Sequence, residues 1–133
     1  MSCLHDFTTL TQSDKLVELG ISPKTANMRF HPRRDLGGRL LGWQPLLGNS
    51  PMDGCKPCWS SGALIALFPK SSFEDNKVWI RPQENGYVVR YDDYLAIIRD
   101  DLVEALVDMV EWCVNEGHIK VYKPKQNSNK AKK

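Results

Sequence analysis

The stretch from Asp101 to Gly117, DLVEALVDMVEWCVNEG, constrains this chain more than any other. At 100° per residue, Leu102, Ala105, Leu106, Met109, Val110, Trp112 and Cys113 share one side with Val103, Val107 and Val114. The result is a helix with an apolar arc of roughly 220°. Glu104, Asp108, Glu111 and Asn115 fall on one narrow polar stripe. Asp101 with Glu104 three residues later has the pattern of a capping box that launches the helix. An arc this wide exceeds what one packed face needs, so the helix is expected to lie on a sheet and be flanked by a second element.

The strands for that sheet precede it. Lys77–Pro82 and Tyr87–Asp92 alternate with a period of two around Asn85-Gly86, a hairpin signal. A two-residue Asn-Gly turn would set Arg81 opposite Arg90, whereas a four-residue loop pairs Trp79 with Arg90 and Val78 with Tyr91, which avoids like charges. The second register is expected. Either register keeps Val78, Ile80, Val89 and Tyr91 on one face and turns Trp79, Val88 and Arg90 to the other. Tyr94–Arg99 reads as a third strand after an Asp92-Asp93 turn, and Ile119 and Val121 suggest a short last strand.

The first half is less regular. Thr9 with Gln12 is a capping box for a helix that Gly20 ends, with Ile21 folding back on Leu16, and Ser22-Pro23 starts a second short helix. From His31 to Cys58, glycines and prolines alternate, which predicts a long Gly/Pro-rich loop with at most a short strand at Arg39–Gln44. GGRLLG within it lacks the spacing and preceding strand of a phosphate loop. In CWSSGALIALFPK, Ser60 or Ser61 caps a two-turn helix through Phe68, apolar nearly all round, which makes it the element to flank the long helix. The expected fold is α+β: a small antiparallel sheet of three to four strands, one long C-terminal helix packed on it and short N-terminal helices. Residues 1–122 would form a single domain and residues 123–133 a basic disordered tail.

Apolar residues at 41% and charged ones at 26% suit a soluble protein, and no apolar run approaches the ~20 residues of a membrane span. MSCLHDFTTL lacks a basic n-region and sustained apolar stretch, so a cytoplasmic location is expected. In that reducing compartment the four cysteines are not expected to form disulfides. The net charge of +2 hides an asymmetry: five lysines lie in the tail, leaving 13 basic against 16 acidic residues before it. Arg29, Arg33, Arg34 and Arg39 cluster early, while acidic residues dominate from Asp92 onward.

The segments CLHDFTTLTQSDKLVELGISPKTANM, PCWSSGALIALFPK, GYVVRYD and LVEALVDMVEWCVNEGHI resemble a family of short uncharacterised proteins of prophages and mobile elements in gut Bacteroidetes. The resemblance implies a bacterial cytosol, a phage or mobile-element origin, no assigned chemistry and no dedicated cofactor. The strand-strand-strand-helix half also resembles the core of HicB-type antitoxins, with Glu104-Ala105-Leu106 standing where their EAL-containing helix does. The Pro-rich, Gly-Cys-containing strand segment and following helix-turn-helix of that family are absent.

Three constellations bear on chemistry. Cys55-Lys-Pro-Cys58 before a helix has the spacing of a thioredoxin-like pair, but loop and not strand leads into it. Cys3, His5, Cys55 and Cys58 would make a Cys₃His zinc set, yet Cys-x-His is too tight for a usual second pair, so no metal is expected. Asp92, Asp93, Asp100 and Asp101 bracket the third strand as turn formers and caps more readily than as a catalytic pair. His31, His118 and His5 lack an evident Ser, Cys and Asp combination. No enzyme and no cofactor are expected. The leading expectation is a small non-enzymatic accessory protein that binds another protein, or a second copy of itself; the candidate binding residues are Arg33, Arg34, Arg39, Trp43, Trp79 and Arg90, the first four of which could together contact an anion or nucleic acid. The alternative is a nucleic-acid-binding or antitoxin-like regulatory module that uses the arginines and the lysine tail; a zinc or redox protein built on the CxxC stands behind both.

Overall fold

The computed structural model describes residues 6–48, 54–70 and 77–121. The basic tail, Cys3 and His5 therefore lie outside the described residues. Helix α1 (Leu10–Leu19) opens with the expected box: the Gln12 N–H donates to Thr9 Oγ1 at 3.1 Å and the Thr9 N–H to Gln12 Oε1 at 2.9 Å. Gly20, at φ 99°, ends it, and the Ile21 N–H returns to the Leu16 carbonyl at 3.1 Å. Leu16 and Ile21 thus enter the core together. The second helix is only a 3₁₀ turn, Pro23–Thr25.

The predicted long loop is wrong. Residues 28–58 carry a three-stranded antiparallel sheet of order β2-β1-β3, made of β1 (Met28–Arg34), β2 (Leu40–Leu47) and β3 (Lys56–Cys58). Its registers explain how a sheet accommodates so many prolines. Phe30 faces Pro45, Pro32 faces Trp43, and on the other side Arg29 faces Pro57. Residues 30 and 32 of β1 turn their backbone groups towards β3, which ends at the level of Phe30, whereas Arg29 turns its own towards β2. Pro32 therefore lacks an N–H only where no strand waits for it, and Pro45 and Pro57 direct theirs to the free outer edges. The prolines cost no ladder bond and blunt both edges against further pairing.

Helix α2 (Ser61–Ile65) is capped by Ser60, whose Oγ accepts the Ala63 N–H at 3.1 Å. It stops short of Phe68 because the chain tightens into three-residue turns, Leu67 N–H to Leu64 and Phe68 N–H to Ile65, ahead of Pro69. Strands β4 (Val78–Gln83), β5 (Gly86–Tyr91) and β6 (Leu95–Arg99) form a second antiparallel sheet in sequence order. Val78 faces Tyr91 and Trp79 faces Arg90, the register that like-charge repulsion favoured. The ladder closes further than expected, to Gln83 opposite Gly86, leaving only Glu84 and Asn85 in the turn.

Helix α3 (Leu102–Asn115) packs on β5 and β6 and is flanked by α2 and α1. Its Val103, Ala105, Leu106, Val107, Met109, Val110 and Cys113 are buried with Leu16, Trp59, Leu64, Val78, Val89, Tyr91 and Ile97 in the main core. Asp101 occupies the cap position, but its side chain makes no capping hydrogen bond. Gly117, at φ 84°, closes the helix with the His118 N–H returning to the Cys113 carbonyl at 2.7 Å. That return carries Ile119 back into the main core, so Ile119 and Val121 form no strand. A smaller core of Met28, Phe30 and Cys58, with Phe7, Leu10 and Trp43 against it, joins the first sheet to α1.

Candidate functional site

The residues singled out from sequence divide between the two sheets. Arg33, Arg34 and Arg39 sit at the turn end of the β1–β2 hairpin, all exposed. The turn is built by Asp35, whose Oδ1 accepts the N–H groups of Gly37 and Arg39 at 2.9 and 2.8 Å. Arg34 is spent on it as well, donating to the Gly38 carbonyl at 3.0 Å. Trp43 does not join them. It pairs with Pro32 and packs in the smaller core, while Arg33 pairs with Gly42 and so points to the opposite face. Lys56 lies 5.4 Å above the Trp43 ring and also meets Asp14 of α1 at 3.5 Å. Trp43 and Arg33 therefore do not share one contact surface.

Trp79 and Arg90 do come together. They are directly opposite on β4 and β5, on the face turned away from α3. Arg81 stacks on the Trp79 ring at 4.5 Å and Arg90 approaches it at 5.8 Å. Arg90 is also pinned, its Nε donating to the Asp92 carbonyl at 2.8 Å and its guanidinium meeting Asp93 at 3.6 Å. Val88 pairs with Arg81 and Ile98, and Arg90 with Ala96, so all of these share the outer face. Ile98 remains 58% exposed. Arg81 and Ile98 were missed as site residues, although strand alternation puts Arg81 on the face of Trp79 and extending the register across the third strand would have found Ile98.

The acidic stripe of α3 is taken up within the chain. Arg99 of β6 meets Asp108 at 3.0 Å and Glu104 at 3.8 Å, and Lys15 of α1 meets Glu111 at 2.6 Å. As exposed pairs these contribute at most ~1 kcal/mol each. His118 packs against the rings of Tyr91 and Trp112, at 4.6 and 5.2 Å between centroids, and those two rings lie 5.4 Å from each other. A cleft of about 500 Å³ lies between the 3₁₀ turn, the end of α2 and residues 119–121. Its walls are mainly Ile21, Pro23, Ala66, Leu67, Ile119 and Val121, with Lys120 its one charged residue, so it offers no acid-base pair.

The two thiols of the CxxC are not neighbours in any useful sense, because three residues along an extended segment place them on opposite faces. Cys58 is fully buried in the smaller core, its thiol donating to the Thr8 carbonyl at 3.6 Å, and burial pushes its pKa up. Cys55 is half-buried and lies 3.6 Å from His31 Nδ1. Among the described residues no three His, Cys, Asp or Glu side chains are grouped to hold a metal.

Cys113 is also fully buried, and desolvation pushes its pKa from 9.0 to about 12. A raised folded-state pKa means that the neutral thiol's contribution to stability is fully present below about pH 9 and is lost as pH climbs towards about 12. Chemical denaturation followed across that window should show stability falling, with a shallower fall in Cys113→Ala. Equal slopes for the two proteins would refute the assignment.

Compared with protein-family models, curated proteins and solved structures, the chain matches none. Among the described residues, no helix is long and apolar enough to cross a membrane.

Proposed function

We propose that this chain is a small non-enzymatic accessory protein, of phage or mobile-element origin, that works by binding another protein through the outer face of the β4–β6 sheet. The observation that carries the reading is the composition of that face: Trp79 clasped by Arg81 and Arg90, with Val88, Ala96 and a largely exposed Ile98 beside it. A preorganised aromatic with guanidinium neighbours and an apolar surround is the chemistry found at the energetic centre of protein interfaces. Arg90 is already fixed by its bonds to the Asp92–Asp93 turn, which lowers the entropy lost when a partner docks. The resemblance to prophage and mobile-element proteins supports the biological setting.

Capture from host lysate with the tagged chain, run beside Ile98→Asp, tests the reading. The expected result is a partner whose affinity falls by roughly 2 kcal/mol or more in the variant, about thirtyfold, with circular dichroism unchanged. Light scattering on the chain alone tells a second copy from a foreign partner. Equal capture by both proteins, with no self-association, refutes the proposal.

A second reading, a nucleic-acid-binding or antitoxin-like regulator, is supported by the three guanidiniums of Arg33, Arg34 and Arg39 at one end of the β1–β2 hairpin. It requires an affinity that falls steeply with salt and weakens in Arg33→Gln and Arg39→Gln. If no such affinity exists, this reading fails.

A further inference from the structure

We propose that Cys55 is a covalent modification site: a thiol, served by His31 as its proton acceptor, that takes small anionic disulfides. The pairing of Phe30 with Lys56 places His31 and Cys55 one step further along the same ladder, as cross-strand neighbours. The contact between Cys55 Sγ and His31 Nδ1, 3.6 Å, is therefore set by strand register and not by a chance loop position. Gly54, in the left-handed region at φ 84° and close to Pro32, fixes the turn of the chain into Cys55.

Among the described cysteines, exposure and charge single out this thiol. Cys58 and Cys113 are wholly enclosed in the two cores, whereas Cys55 is half-buried and open to a reagent. Along β1, Arg29, His31 and Arg33 lie on one face, so an arginine stands two residues to either side of His31. Arg29 is held in place by bonds to the Leu47 and Gly48 carbonyls, both at 2.9 Å, and Arg33 is exposed. A partly exposed thiol beside a base and fixed positive charge is the setting in which cysteine becomes nucleophilic. The same positive charge draws an anionic reagent in preference to a cationic one.

The step balances as thiol–disulfide exchange. The thiol proton passes to His31 Nδ1, Sγ attacks one sulfur of the reagent, and the reagent's S–S bond breaks. Its distal half leaves as a thiolate with the electron pair and is reprotonated by the imidazolium or by water. Cys55 is oxidised to a mixed disulfide as one half of the reagent is reduced to a thiol. The CxxC spacing plays no part, because Cys58 faces the other way.

The full chain is exposed separately to an anionic aromatic disulfide, dithiobisnitrobenzoate, and to the cation cystamine, and each cysteine is followed by peptide mass spectrometry. Cys55 should react faster than the same residue in the urea-unfolded chain, and the ratio of its anion to cation rates should exceed the ratio in the unfolded chain, which cancels the reagents' different leaving groups. The rate should fall on the order of tenfold or more in His31→Gln. Added imidazole should restore much of the rate in His31→Ala, and Arg33→Gln should narrow the preference between the two reagents. A folded His31→Gln that reacts as fast as the wild type overturns the proposal. So does a wild-type Cys55 that reacts no faster folded than unfolded, the comparison that decides the matter if the His31 variants do not fold.

Discussion

Replacing Trp59 with alanine should destabilise the protein by about 3–5 kcal/mol, the range for truncating a fully buried aromatic. Trp59 is 0% exposed and occupies the junction of the two cores. Cys58 before it belongs to the smaller core, and Ser60 after it caps α2 and takes the Asn27 amide at 2.8 Å. Its own backbone is tied to Thr8 in both directions, the Trp59 N–H donating to Thr8 Oγ1 at 3.1 Å and the Trp59 carbonyl accepting the Thr8 N–H at 2.8 Å. The indole N–H donates to Thr25 Oγ1 at 2.8 Å, which anchors the 3₁₀ turn. Removing the ring opens a cavity beside groups that backbone hydrogen bonds hold in place, so collapse around it is limited. Trp59→Phe separates the two contributions. It keeps most of the apolar area and loses one hydrogen bond, and Thr25 still has the Ser22 carbonyl as a partner at 2.7 Å, so a cost near ~1 kcal/mol is expected. Urea denaturation of the three proteins measures both steps. A cost below about 1.5 kcal/mol for the alanine variant would mean that the two cores do not depend on this side chain.

Nothing about Trp59 stood out in the sequence, and the reason is physical. Periodicity reports a residue's face within one element, and Trp59 belongs to none: it lies between β3 and α2, tied to Thr8 and Thr25, both distant in sequence. The legible parts were those where local pattern and tertiary demand agree. The apolar arc of α3 required two flanks and received them from the β4–β6 sheet and α2. The β4–β5 register followed from the cost of opposing Arg81 and Arg90, a pairwise effect readable from the two segments alone.

The sheet of β1, β2 and β3 was illegible because proline and glycine were counted without their pairing parity. Three prolines that each sit where no ladder bond is made are compatible with strands, but parity exists only once partners are known. The candidate site was obscured in the same way. Cys55 and Cys58 attract the eye as a spaced pair, while the real neighbour of Cys55 is His31, 24 residues upstream. Asp101 had the capping pattern yet makes no capping bond, because a pattern names residues and leaves the rotamer to tertiary packing. Trp43 and Arg33 are close in sequence and divided by the two faces of a sheet.

Gly86 offers the sharpest test of this distinction, and Gly86→Ala is expected to destabilise the fold by about 1–3 kcal/mol. A two-residue Asn85-Gly86 turn, the register set aside because it opposes Arg81 and Arg90, would need left-handed backbone at both residues. In the structure the turn is Glu84–Asn85, and among described non-glycine residues only Asp92 has a positive φ, at 51°. Gly86 is needed for a different reason. A Cβ there would collide with the carbonyl oxygen of Arg99 and come within 2.9 Å of the Asp100 Cα. Both are backbone atoms, so no rotamer change relieves the clash, and β6 must shift where it hands the chain to α3. That shift would also disturb Arg99, which holds the acidic stripe of the helix at Glu104 and Asp108. The turn reading predicts that Asn85→Ala costs as much as Gly86→Ala. The close-approach reading predicts that Asn85→Ala stays within about 0.5 kcal/mol of wild type while Gly86→Ala does not. Denaturant midpoints of the two variants decide between them, and equal losses would return the glycine to the turn.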